Sequence, residues 1–204
     1  MVVDAAVIVA GGSGRRLGGV DKPALVVGGR SLLRRALDAV PRAVVVVVGP
    51  LRDLPESTRQ VTEDPPGSGP AAAAAAGVAA LPALADDALV AVLAADLPGI
   101  TPATVERLAM AVRSDGNPAG RAPAGSVLVD AEGRRQYLVG VFRLGPLLAA
   151  ARAADWAGQS VRALLGPLID VEVAALAGEA ADVDTPDQYR RLGFTDPTGG
   201  ETRS

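Results

Sequence analysis

Between Val7 and Pro23 the chain reads VIVAGGSGRRLGGVDKP, an apolar run that leaves through paired glycines and meets Arg15, Arg16 and Lys22. Glycine permits positive φ and lets main-chain N–H groups approach an anion closely, and the three cations add charge, so this stretch suits a polyphosphate. Arg15 has a second reading, pointing to solvent. Asp96 ends the apolar run at residues 91–95, where an isolated carboxylate is costly unless it is paired or metal-bound; it also suits a cap of the turn at Leu97-Pro98. A carboxylate beside a phosphate pocket is repulsive, and a magnesium ion between them turns the repulsion into attraction. Asp64 follows a short strand in the same way, or forms the turn before Pro65-Pro66. Asp184 opens Thr185-Pro186-Asp187, which is equally an ordinary helix start.

The sequence has no cysteine and no histidine, which removes disulfides, thiolate or imidazole metal sites, and nucleophile–histidine pairs. Chemistry must run on Asp, Glu, Lys, Arg, hydroxyls and backbone. A net charge of -3 and five aromatic residues, Tyr137, Phe142, Trp156, Tyr189 and Phe194, argue against a nucleic-acid surface. No stretch of about 18 uninterrupted apolar residues predicts a membrane span. Asp4 stands where a signal peptide would carry positive charge. The expectation is a soluble, cytoplasmic protein with no membrane partner, and 49% apolar content over 204 residues suffices for one core.

Known phosphate-loop spacings fail on this glycine run. The dinucleotide pattern begun at Gly12 requires glycine at the position of Leu17, and the P-loop pattern begun at Gly14 requires lysine at the position of Val20.

The elements that must position these residues follow from periodicity. Ala5 to Ala10, Ala43 to Val48 and Ala88 to Ala94 lack polar alternation, as do strands covered on both faces of a parallel sheet. Ser31 is placed to cap a helix with Leu32, Leu33, Ala36, Leu37 and Val40 on one face, and Pro70 opens an alanine-rich helix. Thr101-Pro102 starts another, with Val105, Leu108, Ala109 and Val112 inward. Alternating strands and helices predict a single-domain α/β fold with a doubly wound, mostly parallel sheet. Ser126 to Val129 and Tyr137 to Phe142, flanking the turn residues 130–133, predict an antiparallel extension in the C-terminal half. Helices near Pro146 to Ala153 and Ser160 to Leu165 precede a strand at Leu168 to Val173, and the polar tail 195–204 is expected to be disordered.

AGGSGRRLGGVDKPAL resembles the loop L-A-G-G-x-S-x-R-M-G-x-D-K of the nucleotidyltransferase family that includes molybdenum cofactor guanylyltransferase. Glu63-Asp64 through Gly69-Pro70 resembles its E-D-x-x-x-G-P-L-A-G segment, Ala95-Asp96-Leu97-Pro98 its C-D-M-P, and Asp182 to Asp187 its N-x-N-T-P-E-D. The resemblance implies a Rossmann-like nucleotidyltransferase domain over residues 1–194. It would transfer GMP from GTP to the terminal phosphate of molybdopterin, releasing pyrophosphate. It assigns Arg16 and Lys22 to the triphosphate, and Ala10, Gly11, Gly12, Asp64 and Gly69 to the nucleotide. Asp96, with Asp184, falls to Mg²⁺. A molybdoenzyme or cofactor-pathway protein is the implied transient partner.

Several positions depart from the family pattern. Ala71 and Ala73 replace a leucine and a glycine near the base, and Asp184 replaces an asparagine where related cytidylyltransferases carry aspartate. Gln136-Tyr137 stands where molybdopterin-type members often have His-Pro; the adjacent Arg134 and Arg135 suit an anionic acceptor or a solvated turn. Cytidylyl transfer, another phosphorylated acceptor, and a nucleotide-binding protein without turnover stay open at this point. Trp156 reads as packing.

Overall fold

The structure, a computed structural model, describes residues 3–11, 21–114, 122–180 and 194–195. Its first strand, β1 (Ala5–Val9), is buried throughout. A hairpin of β2 (Val26–Val27) and β3 (Arg30–Ser31) leads into helix α1 (Leu32–Asp38), where Ser31 Oγ accepts from Arg34 N as a cap. There follow β4 (Val44–Val48), β5 (Thr58–Val61), α2 (Pro70–Ala79), β6 (Leu89–Ala94) and α3 (Pro102–Arg113). The second half adds β7 (Gly125–Val129), β8 (Arg135–Arg143), α4 (Leu144–Arg152), α5 (Val161–Leu165), β9 (Val171–Ala174) and β10 (Phe194–Thr195).

Seven strands form one sheet in the order β5-β4-β1-β6-β8-β7-β9. The pairs β5–β4, β4–β1, β1–β6 and β7–β9 are parallel, whereas β8 is antiparallel to both β6 and β7. The expected parallel sheet with an antiparallel extension is therefore present, and the extension consists of one reversed strand. β10, β2 and β3 form a small separate sheet in which Thr195, first residue of the expected tail, pairs with Val26. The remainder of that tail lies outside the described residues.

Alternate residues of the central strands feed two cores. Ala6, Ile8, Val45, Val47, Ala91 and Leu93 meet α1 and α3, including the predicted Val105, Leu108, Ala109 and Val112. Val7, Val9, Val46, Val48, Val90 and Val92 meet α2, α4 and α5 on the other face. Burial on both faces explains why these strands are continuously apolar. Trp156 packs at the edge of the second core, its Nε1–H donating to Ala151 O at 3.1 Å, as expected of a packing residue.

Two of the boundaries that differ from expectation have a plain physical reason. The strand placed at Leu168 to Val173 begins only at Val171, because Gly166–Leu168, with Pro167 inside it, closes a 3-10 turn first. The helix placed from Pro146 starts at Leu144, which leaves the proline in its first turn, where a missing N–H costs nothing.

Candidate functional site

In the sheet order the chain moves outward from β1 to β4 and β5, then crosses back to β6 on the other side of β1. The connections diverge between β1 and β6, and in open α/β sheets ligands bind beyond the carboxyl ends of the strands at such a point. Ala10 and Ala95 leave these two strands still hydrogen-bonded, Ala10 N donating to Val48 O (2.8 Å) and Ala95 N to Val9 O (3.0 Å). Gly49, at the exit of β4, lies against the Ala10–Gly11 peptide; a Cβ there would meet Ala10 C and O at 2.9 Å, and φ is 149°. The three exits are thus locked side by side by backbone contacts.

Asp96 and Lys22 meet at this edge. Lys22 Nζ lies 3.9 Å from Asp96 Oδ2, an ionic approach longer than a hydrogen bond, with the side chains 19% and 33% exposed. Lys22 is the sole lysine among the chain's 20 Lys and Arg residues. It opens the 3-10 turn Lys22–Ala24, which Pro23 and Leu25 anchor; Leu25 packs on Leu32, and Leu32 N donates to Leu25 O at 2.9 Å. The preceding residue, Asp21, takes both terminal nitrogens of Arg52, the Nη2–Oδ1 contact being 2.6 Å.

The Asp96 loop is held from beneath. Leu97 and Ile100 are buried, and Gly99 touches the backbone of Gly178, where a Cβ would meet the Gly178 oxygen at 2.0 Å. The next residue, Glu179, is buried and accepts from Arg107 Nη1 (2.8 Å) and Nη2 (2.7 Å), Thr104 Oγ1 (2.6 Å) and Leu176 N (2.7 Å). The Arg107 hydrogen bonds are the main cause holding its carboxyl down to about 2, from an ordinary 4.5, against the opposing effect of burial.

On the other flank, the segment after β5 turns back under Glu63, whose Oε1 accepts from Gly67 N at 3.0 Å while Oε2 is buried with no hydrogen-bond partner among the described residues. Asp64 is exposed on this loop. Gly69, with φ 98°, is the N-cap position of α2, where Pro70 takes the first turn. Ala71 and Ala73 turn into the core, so of residues 69–73 only Gly69, Pro70 and Ala72 retain exposure. Because β8 runs backwards, its first residues reach the same edge as Asp96. There Arg134 Nε pairs with Asp130 Oδ2 and its Nη2 with Glu132 Oε2, both at 3.1 Å, and Arg135 Nε pairs with Glu172 Oε1 at 2.6 Å.

Of the residues expected at the site, Ala10, Gly11, Lys22 and Asp96 are therefore gathered at the β1–β6 exits, with Asp64 and Gly69 on the neighbouring β5–α2 connection. Gly12, Arg16 and Asp184 lie outside the described residues. Composition carried an unused signal, the single lysine. Nothing in a linear reading points to Arg52 or Gly49, whose partners are distant in sequence or made of backbone, whereas Glu63 stands in the E-D segment without a role of its own.

Among the described residues no group of three or more acidic side chains is arranged to hold a metal ion. Magnesium does not require one: it retains waters and takes one or two carboxylates together with substrate phosphates. The half-exposed Asp96 carboxylate supplies the hard oxygen such a site needs, so the donor chemistry fits. No helix among the described residues is long and apolar enough to cross a membrane.

The description "MobA-like NTP transferase domain" matches residues 6–172. No curated protein matches the sequence. Among solved structures, Rv0371c from Mycobacterium tuberculosis H37Rv is 20% identical, with a TM-score of 0.66 over 94% of this chain and 98% of that one. Molybdopterin-guanine dinucleotide biosynthesis protein A from Archaeoglobus fulgidus is 18% identical, with a TM-score of 0.65 over 92% and 96%. The 2-C-methyl-D-erythritol 4-phosphate cytidylyltransferase of Francisella tularensis is 16% identical, with a TM-score of 0.68 over 92% and 97%. At these identities the likeness concerns the fold.

Proposed function

Because the chain belongs to the MobA-like NTP transferase domain family, we propose that it transfers GMP from GTP to the terminal phosphate of a molybdopterin-type acceptor, with Mg²⁺. The observation that supports this reading most directly is the convergence of Lys22 and Asp96, 3.9 Å apart, at the point where the sheet connections diverge.

In this reaction an acceptor phosphate oxygen attacks the α-phosphorus, the bond from that phosphorus to the bridging oxygen breaks, and pyrophosphate leaves. The nucleophile is already ionised at neutral pH, so no general base is required and a chain without histidine or cysteine is adequate. What remains is alignment and charge neutralisation. Lys22, released from Asp96, would neutralise the departing pyrophosphate, joined by Arg16. Backbone N–H groups from Gly11 and Gly12 would cradle the phosphates, and Gly69 with Asp64 would line the nucleoside. Asp96, aided by Asp184, would hold Mg²⁺. The metal when bound polarises the phosphoryl oxygens and offsets their charge. The acceptor would lie toward the start of β8, beside Arg134 and Arg135, and a molybdoenzyme or cofactor-pathway protein would receive the product.

The test is pyrophosphate release with GTP, CTP, ATP and UTP in turn, with Mg²⁺ and molybdopterin. GTP-dependent release is expected. A preference for CTP would replace the guanylyl reading with a cytidylyl one, which Asp184 in place of asparagine would then explain. Nucleotide binding without release under every condition would overturn transfer altogether.

A further inference from the structure

We propose that Arg52 is a positioning residue which, through Asp21, sets the backbone that presents Lys22 to Asp96. This rests on Lys22 being the triphosphate contact of the proposed reaction.

The brace is built from both ends. The Arg52 side chain is only 15% exposed, and its terminal nitrogens meet the two carboxylate oxygens of Asp21 in a fork. That geometry fixes orientation as well as distance. Nη2 also reaches the carbonyl of Ala10, the residue at the exit of β1, at 3.4 Å. The backbone of Arg52 is itself clamped: Arg52 N donates to Gln60 Oε1 (2.9 Å), and Gln60 Nε2 donates to Arg52 O (2.7 Å). Among the described residues Arg52 Nε is buried without a hydrogen-bond partner, a cost the site bears. Asp21 occupies the N-cap position of the Lys22–Ala24 turn, yet its side chain makes no capping bond and turns to Arg52 instead. An isolated surface ion pair contributes little to stability, so the worth of this one lies in geometry. Pro23 and Leu25 anchor the far side of this turn, and the fork fixes its start.

The single lysine makes the inference directly observable, since protein labelled with 13C-lysine gives one Cε signal. That signal is compared in wild type, Arg52→Met, Asp21→Asn, the double variant and Asp96→Asn, alongside kcat and KM for the nucleotide. Both brace variants should move the Lys22 signal toward its position in Asp96→Asn. Each should lower kcat/KM roughly tenfold, and the double variant should lose no more than either single one. An unmoved Lys22 signal in both brace variants overturns the proposal. So does a large loss in Arg52→Met with Asp21→Asn at wild-type activity, because Arg52 would then act on the nucleotide itself. Should Arg52→Met fail to fold, judged by its thermal melt, the substitution at the half-exposed Asp21 decides alone. If wild type transfers no nucleotide from any NTP, the functional reading falls while the Lys22 signal still judges the brace.

Discussion

In the proposed reaction Lys22 and Asp96 would divide one task, and their side-chain types suit it. A lysine is a compact charge on a flexible stem, able to leave one carboxylate and follow a phosphate, whereas an arginine would be retained by Asp96 through its fork. Lys22→Met and Asp96→Asn are each expected to lower turnover by about 10²–10³-fold, the scale seen when a positioned electrostatic group is removed. Thermal unfolding should change little, because a partly exposed pair contributes about 0–1 kcal/mol; steady-state rates set beside melting curves check both halves of this expectation. Asp96 was legible in the sequence because a carboxylate closing an apolar strand contradicts its surroundings. Lys22 was legible through its loop. Arg52 was not, since its partners Asp21 and Ala10 lie 31 and 42 residues away and only the folded sheet exit joins them.

At the scale of elements, Gly99 couples the Asp96 loop to the segment that follows β9. A Cβ at this position would sit 2.0 Å from the Gly178 oxygen and 2.6 Å from its carbon, both backbone atoms that cannot swing aside. Gly99→Ala is therefore expected to cost about 1–3 kcal/mol, the range for overpacking. It should also lower kcat through displacement of Asp96; denaturant unfolding and kinetics on the same preparation test the coupling. β1, β4 and β6 were readable because burial on both faces forces an unbroken apolar run. β5 offers only Thr-Arg-Gln-Val at the sheet edge, where one strand neighbour is enough and the pattern is correspondingly weak. The two-residue strands β2, β3 and β10 carry no periodicity at all, and their pairing depends on segments far apart in the chain.

For the molecule as a whole, the Glu179 cluster ties α3 to the end of the seven-stranded sheet, and its charge state bears on global stability. Folding lowers the Glu179 pKa from 4.5 to about 2, so this carboxylate stabilises the protein above pH 4.5. That contribution is lost progressively as pH falls from about 4.5 to about 2, where the folded form too becomes protonated. Its size is about 3 kcal/mol. Glu179→Gln should destabilise the protein near neutrality by about that amount and flatten the stability profile within this acid window, as unfolding at stepped pH would reveal. The two-core, three-layer arrangement was legible from alternation and helix faces, whereas the Glu179 cluster was not, because Thr104 and Arg107 look like routine helix residues until residues 176–179 close over them. The reversal of β8 carries a last consequence. Since that strand, alone in the seven-stranded sheet, enters the working edge from its amino end, the proposed acceptor side at the start of β8 stands across the β6–β8 seam from the proposed triphosphate grip of Lys22 and Asp96. On that proposal, a recipient could be exchanged at the start of β8 without rebuilding the grip on the triphosphate.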